Sequence, residues 1–258
     1  MTAKVRLVEY TREELAQLSP ESVLVVPTGA TEQHGPHLPV GTDGLIVEHV
    51  ALDAARIAGE RGARCLVAPL LSYGSSHHHL PFPGTLSLTG SSFLQAIRDL
   101  GESATQWGVT KLFFLNGHGG NESLVHQAVR DLVLRADLVA GAASYWSLAK
   151  DKLLADSTLR DVVGTLPGHA GGFETSIILA LRPDLVDQDD YPSEARSGAS
   201  WSARWESAAP LVERTGWFSA IDGYTDLPTH ANSEVGSRLL DHIVDCVSEF
   251  LVDFAYEH

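Results

Sequence analysis

Short apolar runs alternate with helical patterns along most of the chain, and this alternation restricts the fold more than any other feature. The apolar runs predict strands at 23–28, 64–71, 111–115 and 138–145. Apolar residues at helical spacing predict helices at about 44–59, 91–107, 122–133, 171–181 and 232–254. Elements in this order favour a largely parallel sheet. We therefore predict an α/β fold in which residues 1–258 form a single domain, with helices flanking both faces of a central, mostly parallel sheet.

Weaker patterns complete the expected organisation. They are a short edge strand at 4–9, a helix start with Thr11 as N-cap, a short strand at 85–88 and a partly helical region at 147–166. The stretch 184–230 is polar and irregular, so its pattern predicts no regular element. It fits a subunit interface or a cover over a site, and it contains Trp201, Trp205 and Trp217.

Composition excludes several classes of partner. The formal net charge is −15, which argues against nucleic acid or an anionic membrane as the main partner. Cys65 and Cys246 lie in apolar stretches outside any metal-finger spacing, so we expect reduced, buried thiols. No apolar run approaches the length that crosses a membrane, and the start of the chain lacks a secretory pattern. These features favour a cytoplasmic protein.

The loop after the first predicted strand contains an unusual concentration of metal-ligand side chains. Glu32 and His34 are two residues apart, so an extended segment directs both side chains to the same side. Asp43 follows after a loop long enough to fold back onto them. Oxygen and nitrogen donors that converge from a rigid backbone suit a divalent metal ion. The alternative is a polar loop in which Asp43 caps the next helix.

Two later loops carry similar residues, namely His118 within NGHGGN and His169 with Glu174 within GHAGGFETS. The ends of parallel strands meet at one edge of a sheet, so all six side chains can be neighbours. Six donors exceed the needs of one ion and suit two metals that share a bridging carboxylate. The alternatives are a glycine-rich turn at His118, a hydrogen-bonding cap at His169 and a carboxylate that complements the helix dipole at Glu174.

A second group of residues fits a substrate pocket less specifically. The run His77–His79 follows the second predicted strand, and Trp146 follows the fourth. A solvated histidine loop and a core tryptophan are the simpler explanations. The sequence lacks a GxGxxG fingerprint after a strand, a GxxxxGK[ST] loop, a GxSxG elbow and an HExxH motif. Nucleotide-binding and serine-hydrolase functions therefore have little support.

The chain resembles the creatininase (creatinine amidohydrolase) family through four motifs that occur in order over most of residues 20–180. They are GATEQHGPHLP with the following Asp43, then FPGTLSL, NGHGGN and GHAGGFETS. The resemblance implies a creatininase-like metallohydrolase domain with two divalent metal ions per chain, of which zinc, manganese and iron are the candidates. It also implies a homo-oligomer, commonly a hexamer, and hydrolysis of carbon–nitrogen bonds other than typical peptide bonds.

Carried over position by position, the resemblance assigns Glu32 and His118 to one metal, His34 to the other and Asp43 to a bridging position. His169 becomes the residue that transfers a proton near the scissile nitrogen. Creatininase itself has a glutamate ligand two residues after the histidine that corresponds to His118, whereas this chain has Gly120. We therefore assign Glu174 to the second metal and keep Glu122 as a weaker candidate. The residues assigned to substrate binding are Ser76, His78, Gly117, Gly119 and Trp146.

These motifs predict a metal-dependent amidohydrolase in which a water activated by two metals cleaves a small cyclic or linear amide. One alternative is a peptidase that matures a small modified peptide of the mycofactocin-precursor type. Another is a non-catalytic oligomeric subunit that holds metal. The NGHGGN branch also includes a pyrimidine deformylase of archaeal flavin biosynthesis, and hydrolysis of sugar-derived and polyol-derived rings is associated with the family. The motifs do not choose among these substrates.

Overall fold

The computed structural model describes residues 4–159, 162, 166–194 and 215–257. Its centre is a four-stranded sheet in the order β2-β1-β3-β4, and every pairing between neighbouring strands is parallel. The strands are β1 (Val23–Thr28), β2 (Cys65–Val67), β3 (Lys111–Asn116) and β4 (Val139–Ser144). The predicted single α/β domain with a parallel sheet is confirmed.

The register aligns the carboxyl ends of the three longer strands. In the pairing of β1 with β3, Val23 lies opposite Lys111 and Thr28 lies opposite Asn116. Asn116 in turn lies opposite Ser144 at the end of β4. All six residues of β1 are buried, as expected for a strand that is covered on both faces.

Eight α-helices surround the sheet within the described residues. They are α1 (Arg12–Leu18), α2 (Thr42–Glu60), α3 (Gly90–Thr105), α4 (Glu122–Val133), α5 (Tyr145–Ala155), α6 (Gly172–Leu181), α7 (Trp217–Ala220) and α8 (Ser233–Ala255). Short 3₁₀ turns occupy Leu7–Glu9, Ser19–Glu21, His77–His79, Gly119–Asn121, Pro183–Leu185 and Gln188–Asp190. The expected N-cap at Thr11 is confirmed, because its side chain accepts from the Glu14 amide in a capping box.

Two hydrophobic clusters cover the two faces of the sheet. The first joins Val23, Val25 and Phe113 to the buried sides of α2, α5, α6 and α8. The second joins Leu24 and Phe114 to α3 and α4. Side chains that alternate between the two clusters along each strand follow the two-residue period of a strand. This arrangement confirms that helices flank both faces.

The weaker strand predictions were wrong in detail. Residues 4–9 form one bridge, from Arg6 to Val67, before a 3₁₀ turn, and residues 85–88 form one bridge, from Leu86 to Thr31. The second strand is three residues long, since Pro69 removes a backbone donor soon after it.

Helix α5 begins at Tyr145, earlier than the predicted helical region. Trp201 and Trp205 lie outside the described residues, and Trp217 begins α7.

The strand order places a crevice at the carboxyl edge of the sheet. The chain passes from β1 outward to β2 and then returns to β3 on the other side of β1. In α/β sheets, ligands bind where the order reverses in this way, beyond the carboxyl ends of the strands. The loops that follow β1 and β3 carry Glu32, His34 and His118 into this crevice. Among the described helices, none combines the length and the apolar character needed to cross a membrane.

Candidate metal centre

The loop after β1 folds back on itself before α2 begins. His34 pairs with Leu38 through a single antiparallel bridge, and Gly35 takes a positive φ of 66° at the turn. Asp43 follows in the first turn of α2, and its Oδ1 lies 3.1 Å from Nε2 of His34. The exposed fractions of Glu32 and His34 are 0%, and that of Asp43 is 3%. The predicted convergence of these three side chains is present.

The end of β3 brings His118 to the same place. Its Nδ1 lies 3.2 Å from Oε1 of Glu32 and 3.1 Å from Oδ2 of Asp43. The preceding Gly117 packs so closely on α2 that a Cβ there would lie 2.7 Å from the Cβ of Val47. Close packing at this glycine therefore sets the short approach of His118 to Asp43.

The first turn of α6 contributes the third carboxylate. Oε1 of Glu174 lies 3.9 Å from Nε2 of His34, and Oε2 accepts a hydrogen bond of 2.6 Å from the Ala170 amide. Ligand atoms of His34, Asp43 and Glu174 all lie within 4.8 Å of one another. Two further sets meet the same limit: Glu32 with His34 and His169, and Glu32 with His78 and His118. Glu122, at the start of α4, belongs to none of these three sets.

Three imidazoles contact a backbone carbonyl with one nitrogen and the carboxylates with the other. Nδ1 of His34 lies 3.1 Å from the Glu32 carbonyl, and Nε2 of His118 lies 3.2 Å from the Ser75 carbonyl. Nε2 of His169 lies 2.8 Å from the Gln33 carbonyl. A carbonyl only accepts, so each of these nitrogens carries the hydrogen. The opposite nitrogens are directed to the carboxylates, as is usual for metal-binding histidines.

The charges and unsatisfied atoms of this centre fit divalent cations. Both carboxylate oxygens of Glu32 and Oδ2 of Asp43 are buried without a hydrogen-bond partner. Leaving such atoms unpaired is costly, and cations would compensate them. Burial lowers the pKa of His34, but the carboxylates of Asp43 and Glu174 outweigh burial and raise it to about 10. Burial, with the nearby Asp43 charge, raises the pKa of Glu174 to about 8. The His34 shift indicates excess negative charge that bound metal ions would neutralise, and the Glu174 shift reflects mainly the cost of a buried carboxylate.

His169 lies beside the carboxylate group but differs from the other two imidazoles in its electrostatics. Its Nδ1 lies 3.7 Å from Oε1 of Glu32, and its ring lies 4.3 Å from the His34 ring. Burial and the neighbouring His34 lower the pKa of His169 to about 3, so it is neutral near pH 7. The bare Nδ1 faces the centre, which is the geometry of a proton acceptor, whereas the lowered pKa makes the ring a weak base in the metal-free protein.

The structure adds two residues that sequence reasoning missed, His79 and Gln33. His79 is 1% exposed and its Nε2 lies 3.5 Å from Oε1 of Glu32. Its ring packs against those of His169, at 4.3 Å, and Phe218 of α7, at 4.2 Å. Nε2 of Gln33 reaches one nitrogen of each stacked ring, Nδ1 of His79 at 2.8 Å and Nε2 of His169 at 3.0 Å. In a run of three histidines, sequence alone does not show which member turns inward.

The predicted substrate-binding residues occupy different environments. Ser76 is buried, with its Oγ 3.2 Å from Nε2 of His118, so it supports that ring. His78 is exposed and stacks 5.8 Å from the His118 ring, and Gly119 borders open space. The Gly117 amide donates to the Thr28 carbonyl, so substrate contact there would need other atoms. Trp146 is 8% exposed within the first hydrophobic cluster, as its simpler interpretation expected. Substrate roles for all five remain predictions.

Gly120 explains why the third carboxylate comes from another helix. A Cβ at this position would lie 2.3 Å from the Ser75 carbonyl oxygen and 2.6 Å from Nε2 of His118. This backbone therefore has no room for a glutamate at Gly120. Glu174 lies near His34 instead, and its choice over Glu122 as a metal ligand stays a prediction.

Comparisons with known proteins identify the family of this chain. The family model described as creatinine amidohydrolase matches residues 8–251. The mycofactocin precursor peptide peptidase of Mycobacterium ulcerans (strain Agy99) is 35% identical over an alignment of 239 residues, and the match covers 87% of this chain and 83% of that protein. The creatinine amidohydrolase of Pseudomonas putida is 35% identical over an alignment of 188 residues, and the match covers 67% of this chain and 70% of that protein.

Solved structures show the same fold. A crystal structure of creatinine amidohydrolase (creatininase) superposes with a TM-score of 0.75 at 27% identity and covers 98% of this chain and 99% of that chain. Creatininase has also been solved in a manganese form and, as a mutant, in a Zn-Zn form. The match over nearly the whole sequence, together with the shared fold, shows that this chain belongs to the creatininase family of amidohydrolases.

Proposed function

We propose that this chain is a metal-dependent amidohydrolase that cleaves the carbon–nitrogen bond of a small cyclic or linear amide. One observation carries the proposal: buried carboxylate oxygens of Glu32 and Asp43 lack hydrogen-bond partners and face imidazole nitrogens that backbone carbonyls hold in place. A purely structural role would not need a third, neutral imidazole beside them. His169 is that imidazole.

Two divalent ions, with zinc, manganese and iron as candidates, are proposed as the cofactors. Glu32 and His118 would hold one ion, and His34 and Glu174 would hold the other, with Asp43 between them. The distances of the two Asp43 oxygens support this division, because Oδ1 lies 3.1 Å from Nε2 of His34 and Oδ2 lies 3.1 Å from Nδ1 of His118. When bound, such a pair polarises a carbonyl and activates a water molecule for attack.

His169 is the proposed proton-transfer residue. Its Nδ1 is bare in the neutral ring, because Nε2 carries the hydrogen that the Gln33 carbonyl accepts. Nδ1 can therefore take a proton from the attacking water and return it to the departing nitrogen. Phe218 packs at 5.6 Å on the His169 ring and limits its movement and its contact with water.

The substrate is the finer part of the proposal. A small amide fits the creatinine amidohydrolase relative, whereas a short modified peptide fits the mycofactocin precursor peptide peptidase relatives. The peptide deserves testing as a second candidate, because the peptidase of Mycobacterium ulcerans aligns with a larger share of this chain than the creatinine amidohydrolase of Pseudomonas putida does. A non-catalytic subunit that holds metal is the third possibility.

The test combines metal analysis with hydrolysis of two substrate classes. Protein purified without added metal is analysed for zinc, manganese and iron, then assayed with creatinine and related cyclic amides and with a panel of short peptides. We expect about two ions per chain and turnover of one class. His169→Asn should lower kcat by about 100-fold or more while metal content stays unchanged. The exposed His126→Asn provides the matched control. Full metal occupancy without turnover of either class would favour the non-catalytic subunit.

We also propose that the chain forms a homo-oligomer, with a hexamer as the first candidate. Apolar side chains on the loops near the carboxyl edge of the sheet support this, since Val40, Tyr73, Leu80 and Leu86 are 39–56% exposed. Exposed apolar surface of this kind is typical of protein interfaces. Sedimentation-velocity analysis at several concentrations tests the proposal, and a monomer at every concentration would overturn it.

A further inference from the structure

The side-chain amide of Gln33 has an orientation that two backbone partners determine. Gln33 is 6% exposed. Its Oε1 accepts from the Gly35 amide at 2.9 Å, and its Nε2 donates to the Gly223 carbonyl at 2.7 Å. A backbone amide only donates and a carbonyl only accepts, so the reversed amide would lose both bonds.

The second hydrogen of this amide has two candidate acceptors. Nε2 of Gln33 lies 2.8 Å from Nδ1 of His79 and 3.0 Å from Nε2 of His169. Nε2 of His169 also lies 2.8 Å from the backbone carbonyl oxygen of Gln33, so this nitrogen carries a hydrogen and cannot accept another. The second amide hydrogen therefore goes to Nδ1 of His79.

His79 consequently differs from His34, His118 and His169. Those three rings direct a bare nitrogen to the carboxylates, whereas His79 directs an N–H group to them. A neutral imidazole has one hydrogen, and if Nδ1 accepts, that hydrogen is on Nε2. Nε2 of His79 faces Oε1 of Glu32 at 3.5 Å, an oxygen that has no hydrogen-bond partner. The rings of His169 and Phe218 hold the His79 ring on two sides, so this orientation is set by packing as well as by Gln33.

We propose that Gln33 is a positioning residue that holds His79 as the Nε2–H tautomer and so makes it a hydrogen-bond donor to Glu32 rather than a further metal ligand. This inference rests on the proposed function, because the proposed function makes Glu32 a metal ligand whose orientation matters. Carboxylates that bind metals are themselves hydrogen-bonded, and loss of such an outer partner typically weakens metal binding 10–100-fold. The same amide also bonds to Gly223, so it connects the motif loop to the segment that carries Phe218.

The deciding experiment reads the tautomers directly. Zinc-loaded protein labelled with ¹⁵N-histidine is studied by long-range ¹H–¹⁵N correlation spectroscopy, which distinguishes Nδ1–H from Nε2–H rings. The His79 signals are assigned by their loss in His79→Gln. We expect the Nε2–H tautomer for His79. An Nδ1–H ring, or a ring that binds zinc, would overturn the proposal. No substrate is present, so the result is independent of whether the protein hydrolyses either substrate class.

Gln33→Glu tests whether Gln33 is the cause. Glutamate keeps an acceptor for the Gly35 amide but presents an acceptor, not a donor, to His79. We expect Nδ1 of His79 to become protonated and the zinc dissociation constant to rise 10–100-fold. Gln33→Met, which has no donor and only a weakly accepting sulfur, should weaken zinc binding without imposing the Nδ1–H ring. The exposed Gln17→Glu on α1 is the matched control. Unchanged His79 signals and zinc affinity in both Gln33 variants would overturn the role of Gln33.

Discussion

Asp43 and His34 meet at 3.1 Å between Oδ1 and Nε2, although one lies at the start of a helix and the other in the preceding loop. The other oxygen of Asp43 lies 3.1 Å from Nδ1 of His118, which follows a different strand. Asp43 therefore joins the loop after β1 to the loop after β3. A single carboxylate that reaches both imidazoles suits a site with two neighbouring metal ions.

Asp43→Ala should therefore remove metal from both positions. We expect metal content to fall from about two ions per chain to well below one, with loss of hydrolysis. Plasma mass spectrometry of the purified variant measures the content. Asp241→Ala, on the exposed side of α8, makes the same chemical change away from the centre and should retain both ions. Retention of full metal content in Asp43→Ala would contradict the shared carboxylate.

Glu174 and Glu122 offer a matched pair, because each lies in the first turn of a helix next to the crevice. Glu174→Gln should lower metal content toward about one ion per chain, since only Glu174 lies within 4.8 Å of ligand atoms of His34 and Asp43. Glu122→Gln should leave the content unchanged. Titration of both metal-free variants with zinc measures the stoichiometry, and the reverse result would move the second site to α4.

The main strands and helices could be predicted from the sequence because each repeats a strong period. Phe113 and Phe114 alternate between the two faces of β3 as a strand requires, and α8 keeps its apolar residues at helical spacing over its whole length. Residues 4–9 and 85–88 have apolar residues but find one bridging partner each, so no strand forms there. Pairing partners are a property of the tertiary structure, which local patterns do not contain.

The candidate ligands could also be predicted, because parallel strands bring their ends together and only a few loops carry carboxylates and imidazoles. The supporting residues could not. Gln33 acts through an amide orientation that Gly223 helps to determine, and the two residues are far apart in sequence. His79 and His78 have the same side chain in adjacent positions, yet one is buried and the other exposed. Only the turn at His77–His79 decides which ring faces Glu32.

Gly120→Ala should damage the centre through sterics alone. The new methyl group would lie 2.3 Å from the Ser75 carbonyl oxygen, which belongs to the backbone and cannot turn aside. We expect a loss of about 1–3 kcal/mol in the free energy of unfolding, as in other overpacked sites, together with weaker zinc binding as His118 shifts. Gly119→Ala is the matched control, because its methyl group meets no atom within 4 Å. Urea unfolding and zinc titration measure both effects, and equal behaviour of the two variants would contradict the argument.

Asp226 should make stability depend on pH in an unusual direction. Its Oδ2 accepts from the Gly172 amide at the start of α6, and its Oδ1 accepts from the Thr225 hydroxyl. Burial outweighs both bonds and raises the pKa of Asp226 from 3.8 to about 6. A raised pKa means that the folded protein binds the proton more tightly than the unfolded chain does. The stabilising contribution is therefore complete below about pH 3.8 and is lost as the pH rises through about 6.

Asp226→Asn should remove this dependence while keeping an acceptor for the Gly172 amide. We expect wild type to lose stability relative to the variant as the pH rises from 4.5 to 7.5. The difference between their free energies of unfolding should change by about 1–2 kcal/mol in favour of the variant, after allowance for solvent screening at this half-buried position. Urea unfolding of both proteins at the two pH values gives the difference, and metal-free protein is used so that metal binding does not contribute. Asp241→Asn on exposed α8 makes the same chemical change and should follow wild type at both pH values. If the difference in free energy of unfolding between Asp226→Asn and wild type is the same at both pH values, the carboxyl group titrates alike in the folded and unfolded chains. Burial beside the start of α6 would then not raise the pKa of Asp226.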